Sequence, residues 1–251
     1  MDDRTYRPRE LSDETRDEIT VGRSDLIDDA VGHIRESCGR KSKHHFLFLG
    51  PRGIGKTHLI ACIGDRLERD LTLKSKTTVV SFPEEPIGTI TFASFLSQLV
   101  RLIGQACPDE SEWVSAERRI ESLASPEDVI DSLAPMFRSL IAKQNRTVVV
   151  VVENLHELLS KQFRSRPDIG ALRKFFMDNN GCLLMASALG HFDAVTSVDE
   201  PFFDFFDVQI LQPLTKPQAI ELVTKTANYR NLNGDDFSAE KMNPVILALH
   251  D

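Results

Sequence analysis

Residues 44–67 read HHFLFLGPRGIGKTHLIACIGDRL, and within them Gly50-Pro51-Arg52-Gly53-Ile54-Gly55-Lys56-Thr57 matches the pattern G-x-x-x-x-G-K-[ST] at every fixed position. Phe46, Leu47, Phe48 and Leu49 form a short apolar run with the character of a buried strand. After Thr57, the apolar residues Leu59, Ile60, Ile63 and Leu67 recur at helical spacing. Strand, glycine-rich turn and helix, in that order, are the context in which this pattern has a physical meaning.

The chemistry follows from that context. Gly50, Gly53 and Gly55 let the backbone curl into a nest of N–H donors without Cβ clashes. Pro51, Arg52 and Ile54 complete the loop, and the helix that begins near Lys56 adds its positive N-terminal end toward a bound anion. Lys56 is expected to reach the β- and γ-phosphates, and the Thr57 hydroxyl to ligate Mg²⁺. His58 follows and is expected to pack beside the loop. A glycine-rich turn carrying a surface lysine is the plainer alternative, but the flanking strand and helix favour a nucleoside triphosphate site.

Composition sets the limits. The chain has 251 residues, 41% of them hydrophobic and 27% charged, enough for one large α/β domain and part of a second. No apolar run approaches the ~20 residues of a membrane span, and the polar start MDDRTYRPRE is no signal peptide. Cys38, Cys62, Cys107 and Cys182 form no CxxC pair, so a reduced, cytoplasmic setting is expected rather than a disulfide framework or metal knuckle. A formal charge of −8 argues against a nucleic-acid-coating surface. The seven histidines include no H-x-x-x-H or H-E-x-x-H pair, so no metal other than Mg²⁺ is expected.

Taken in order, residues 1–20 are charged and lack apolar periodicity, and are expected to form an extended or partly disordered acidic arm. Leu26, Ile27, Ala30, Val31 and Ile34 then define one apolar helical face, capped by Ser24 or Asp25. Further strands are expected at 77–82, 147–152, 182–185 and 208–211. Helices are expected at 92–105, 113–123 and 126–143, with Pro135 placed to kink or break the last, and from Pro167 to Asn179. The run TVVVVV at 147–152 lacks alternation, as a central strand buried on both faces would. Strands alternating with helices at this spacing predict an α/β fold: a three-layer αβα core over residues 21–213 with a mostly parallel five-stranded sheet. From 214 the pattern changes to helices, the first opened by Thr215 and Gln218 as a capping box and a second running from about 238. Because an amphipathic segment is still under way at Asp251, the chain is expected to be the N-terminal part of a longer protein. Phe202, Phe203, Phe205 and Phe206 read as core packing rather than a base-stacking platform.

A triphosphate site needs a carboxylate for Mg²⁺ at the tip of a neighbouring buried strand. Glu153, directly after the valine run, is placed for it. Here the sequence resembles the AAA+ and STAND-like P-loop ATPases, especially the initiator-type ATPases of origin recognition. VGRSDLIDDAVGHI looks like their entry helix, which implies that Val21 and Gly22 line an adenine pocket. GPRGIGKTH is similar to their Walker A motif, VVVVVEN occupies the place of Walker B, and LLMASAL resembles the sensor 1 strand, with Ser187 the candidate sensor. The segment EPFFDFFDVQILQPLTKPQAIEL is similar to their last core strand and first lid helix. The resemblance spans about residues 20–250. It implies ATP and Mg²⁺ as cofactors, a homo-oligomer or partner protein, no membrane, and DNA reached through a region beyond 251, in replication, transposition or defence against mobile elements. It also implies an arginine finger among Arg164, Arg166 and Arg173, and a sensor 2 arginine beyond Asp251.

The departure lies at Asn154. With Glu153 aligned on the metal-binding aspartate, Asn154 stands where a water-activating glutamate is usual, and an amide cannot accept a proton as a general base. In the other register Glu153 is the base and Val152 faces the metal; valine cannot hold Mg²⁺, so the first register is preferred. Three readings stay open: an ATP-hydrolysing switch, a non-hydrolysing ATP sensor or scaffold, and a small-molecule kinase. The N-K-x-D element of GTPases does not occur.

Overall fold

The structure, a computed structural model, describes residues 11–38, 40, 43–83, 88–163 and 165–229. Its architecture is set by the valine run. Strand β3 (Thr147–Val152) is buried at every position. Val148, Val150 and Val152 enter one apolar core, and Val149 and Val151 enter another. A strand with a core on each face needs helices on both sides.

Five parallel strands result: β1 (Phe46–Leu49), β2 (Thr77–Ser81), β3, β4 (Cys182–Ala188) and β5 (Asp207–Ile210), in the order β2-β3-β4-β1-β5. The period-two rule sorts each strand between the cores: Phe46 and Phe48 face one side, Leu47 and Leu49 the other. The first side is covered by α2 (Ser24–Ser37) and α3 (Lys56–Arg69), through Ile27, Val31 and Ile34 and through Leu59, Ile63 and Leu67. The short α4 (Leu71–Lys76), capped by Asp70, adds Leu73 to the same core. The second side is covered by α5 (Phe92–Ala106), α6 (Ser111–Ile120) and α7 (Pro126–Gln144), and by α9 (Arg166–Asp178), which follows the single helical turn α8 (Leu155–Glu157) and a π-helical segment, Leu158–Gln162. The three-layer αβα core with a parallel five-stranded sheet is the fold expected from the sequence.

Several local expectations are corrected. Helix α7 runs unbroken through Pro135. That residue faces solvent, while Leu133, Phe137, Leu140 and Ile141 anchor the opposite side, so the hydrogen bond that proline lacks is lost where water can replace it. Residues 11–20 are no extended arm. They hold α1 (Asp13–Ile19), whose N-cap Ser12 accepts from the Thr15 N–H. Arg16 is 7% exposed and donates through Nε and Nη2 to the two carboxylate oxygens of Asp65 on α3, at 2.6 and 2.7 Å, and through Nη1 to the Leu11 carbonyl at 2.6 Å. A charged segment is ordered when its charges find such fork-shaped partners. Residues 1–10 lie outside the described residues.

After the short α10 (Asp193–Thr196), Phe202 and Phe205 close the second core with Phe206 packed against it, as core packing predicts, whereas Phe203 departs from that expectation and is exposed. Helix α11 (Lys216–Tyr229) opens with Gln218 Oε1 accepting from the Thr215 N–H at 2.9 Å and hydroxyl at 3.0 Å, half of the expected capping box. The second expected lid helix, from about 238, lies outside the described residues.

Candidate nucleotide site

In a parallel sheet, the C-terminal strand tips meet one crevice, where ligands bind at a switch in strand order. Strand β4 lies between β1 and β3, with Ser187 paired to Phe48 and Ala186 to Val152. The glycine loop after β1, the serine near the end of β4 and the carboxylate after β3 therefore converge, although they are far apart in sequence.

At two of its glycines the loop is set by conformation, not lack of space. Gly53 (φ 84°) and Gly55 (φ 98°) are left-handed, and a Cβ at either would meet nothing within 4 Å. Glycine is required there because other side chains resist such φ values. Gly55 is the N-cap of the 14-residue α3, so the orphan N–H groups of that helix open onto the loop. Lys56, 8% exposed, donates through Nζ to the Gly50 carbonyl at 2.6 Å and the Pro51 carbonyl at 2.9 Å. Burial pushes its ammonium below the usual lysine range; the Glu153 carboxylate opposes that shift and Arg52 adds to it. Arg52 itself is exposed.

Thr57 donates its hydroxyl to Glu153 Oε2 across 96 positions of sequence. Glu153 is 4% exposed. A hydroxyl beside a buried carboxylate supplies two hard oxygen donors, the chemistry Mg²⁺ takes from a protein while phosphates and water complete its octahedron. With a basic ammonium and a nest of N–H donors alongside, the residues fit Mg²⁺-ATP. Asn154 is left-handed (φ 53°), and its N–H donates to Ser187 Oγ at 3.4 Å, so the tips of β3 and β4 are tied together there. Asparagine tolerates this conformation better than most residues.

The entry segment meets α11. Gly22 (φ 63°) abuts α11 so closely that a Cβ would come within 2.6 Å of the Gln218 amide, and Val21 beside it is buried. His58 turns from the phosphate loop: its Nε2 shares a 2.8 Å hydrogen bond with the Thr20 hydroxyl, and burial lowers its basicity. Of the three arginines implied as fingers, Arg166 donates to the Asp199 carbonyl and Arg173 lies over the Phe205 ring at 5.8 Å, while Arg164 lies outside the described residues.

One residue was not singled out from sequence. Arg23, 8% exposed, donates through Nη2 to the Ile54 carbonyl in the loop at 3.3 Å and to the Gln212 carbonyl after β5 at 2.8 Å. It ties the phosphate loop to the segment that follows β5. Its only signal was its place beside Val21 and Gly22.

Fold and site together define a P-loop nucleotide-binding protein. The AAA ATPase domain family matches residues 20–172, well over half of the chain, and the chain belongs to that family. No curated protein matches it. Among solved structures, the fold is similar to the ORC1 protein of Aeropyrum pernix in complex with DNA (TM-score 0.59, 14% identity, 83% of this chain and 50% of that one). It is also similar to the ORC2 protein of Aeropyrum pernix in ADPNP-ADP complexes (TM-score 0.58, 13% identity, 82% and 52%) and to the Walker-type ATPase PABY2304 of Pyrococcus abyssi (TM-score 0.57, 14% identity, 90% and 63%). The chain thus spans half to less than two thirds of the length of these structures. No helix among the described residues is long and apolar enough to cross a membrane.

Proposed function

We propose that this chain carries the Mg²⁺-ATP-binding core of a nucleotide-dependent switch or assembly subunit, and that it hydrolyses ATP slowly. The carrying observation is the contact between Thr57 and Glu153, which joins the end of the phosphate loop to the tip of the valine strand. It favours Glu153 as the metal-site carboxylate and leaves Asn154 at the water-activating position. Lys56 and the loop N–H groups would hold the phosphates, Thr57 and Glu153 the Mg²⁺, and Val21 and Gly22 the base. Mg²⁺ when bound neutralises charge on the β- and γ-phosphates. Asn154 and Ser187 would orient the attacking water. A DNA-linked process is the reading the ORC1–DNA complex supports, with self-assembly or a partner protein supplying the finger arginine.

Phosphate release by wild type and Asn154→Glu, with nucleotide binding measured in parallel, tests this reading. A glutamate there adds the missing base at a strain of about 1–2 kcal/mol for the left-handed backbone. Slow release by wild type, raised at least about tenfold in Asn154→Glu, is the expected result. ATP binding with no release by either protein, with or without DNA, would favour a sensor. ADP formation that depends on a small-molecule acceptor would favour a kinase.

A further inference from the structure

At the end of the sheet opposite the nucleotide loop, a cleft of about 320 Å³ lies between the start of β3 and the turn before β4. Strand β3 is six residues long, which puts roughly 20 Å of sheet between this cleft and Glu153. In a chain of formal charge −8, the cleft is lined by four basic side chains, Arg40, Lys43, Arg138 and Arg146, and one acidic one, Asp178. The cations come from the segment between α2 and β1, from α7 and from the residue ahead of β3, so no single helix face accounts for them. Part of the charge has a local role. Helices α7 and α9 both end at the cleft, and each C-terminus carries about half a negative charge. Arg40 has Glu36 at 3.4 Å, Arg146 has Glu110 at 3.5 Å, and Asp178 is held by Lys174 at 2.6 Å. Lys43 and Arg138 have no acid partner among the described residues. Two cations therefore remain where the helix ends call for about one. Lys43 donates one N–H to the Ser37 carbonyl and a second to the Thr147 hydroxyl at 3.4 Å, which leaves its third donor. Burial pushes its ammonium below the usual lysine range, as for a charge drawn from water without an anion in exchange.

We propose that this cleft binds a small phosphate-bearing anion, held by Lys43 and Arg138 with the exposed Arg40 at its rim. The site is separate from the triphosphate loop, and the inference does not rest on the ATPase reading. A phosphate monoester brings about −1.5 to −2 charges and three terminal oxygens, enough to meet several cations at once. A carboxylate presents two oxygens in one plane, which suits one arginine fork better than cations arriving from separate elements. The volume falls at the lower end of small-molecule sites, about 300–1,000 Å³. A net charge of −8 opposes a long polyanion, which favours a small ligand over a nucleic-acid strand.

The test is timed acetylation of the full chain with acetic anhydride, read lysine by lysine by mass spectrometry, with inorganic phosphate and ribose 5-phosphate as probes. Either probe at about ten times its Kd should slow modification of Lys43 roughly tenfold, as mass action requires. Lys161, an exposed lysine following α8, should be unaffected. Arg138 and Arg40 are exposed, so Arg138→Gln and Arg40→Gln leave the fold and the reporter lysine in place. Arg138→Gln should raise the half-protecting phosphate concentration about tenfold, and Arg40→Gln should raise it less, because Glu36 already holds Arg40. Lys56→Ala should leave protection of Lys43 unchanged. Absence of protection, or protection undiminished in Arg138→Gln, would overturn the proposal. So would its loss in Lys56→Ala, which would assign the effect to the nucleotide loop. Protection by a short DNA duplex at lower concentration than ribose 5-phosphate would overturn the small-ligand assignment in favour of a nucleic-acid backbone.

Discussion

Lys56→Ala should weaken ATP binding by about a hundredfold, the largest affinity loss expected of any single substitution in the loop. Charge-assisted hydrogen bonds contribute about 1.5–3 kcal/mol each, and each 1.4 kcal/mol is tenfold in affinity. The ammonium sits where it can make such bonds because α3 begins at Lys56, directly after the left-handed Gly55. It also ties the Gly50 and Pro51 carbonyls at the start of the loop, so alanine removes a brace as well as a charge. Thermal melts with and without ATP separate the two effects. The ligand-induced rise in melting temperature, which follows the ratio of ligand concentration to Kd, should vanish in the variant while the nucleotide-free melt remains cooperative. An undiminished rise would place ATP somewhere other than this loop.

Glu153→Ala should be nearly as severe, but in a different quantity. Its carboxylate is buried, receives the Thr57 hydroxyl and lies within electrostatic reach of Lys56. Without it the metal would keep one protein oxygen ligand of the pair, and Mg²⁺ relinquishes water only to well-placed oxygens. Phosphate release should fall by at least about a hundredfold, while metal-free ATP binding should change little or tighten, because a negative charge near the phosphates is gone. Stopped-time phosphate assays and titrations in chelator check both halves. A variant that retains turnover would move the metal role away from Glu153.

What could be read from sequence was local or periodic. The glycine loop, its flanking strand and helix, and the doubly buried valine strand all declare themselves within a window of a few residues. Glu153 was legible because an acid after five valines has few other uses. Strand order was not read from the pattern itself: parallel strands joined by helices fit several orders, and only the structure shows β4 between β1 and β3, bringing Ser187 beside Asn154. Arg16 and Asp65 stand 49 positions apart, so a charged N-terminal stretch gave no sign of the fork that orders it. Arg23 was missed for the same reason. Its contacts, with the Ile54 and Gln212 carbonyls, are set by distant parts of the chain. The π-helical segment after α8 escaped because Leu155, Leu158 and Leu159 make too short a periodic run to exceed a loop's background.

One divalent cation is expected to bind between Thr57 and Glu153 when ATP occupies the loop. Counting bound Mn²⁺ by electron paramagnetic resonance, with and without ATP, tests it most directly. One ATP-dependent Mn²⁺ per chain is expected in the wild type, lost in Glu153→Ala and in Lys56→Ala. Retention of that Mn²⁺ in Glu153→Ala, or ATP binding by the wild type with no Mn²⁺ taken up, would contradict it.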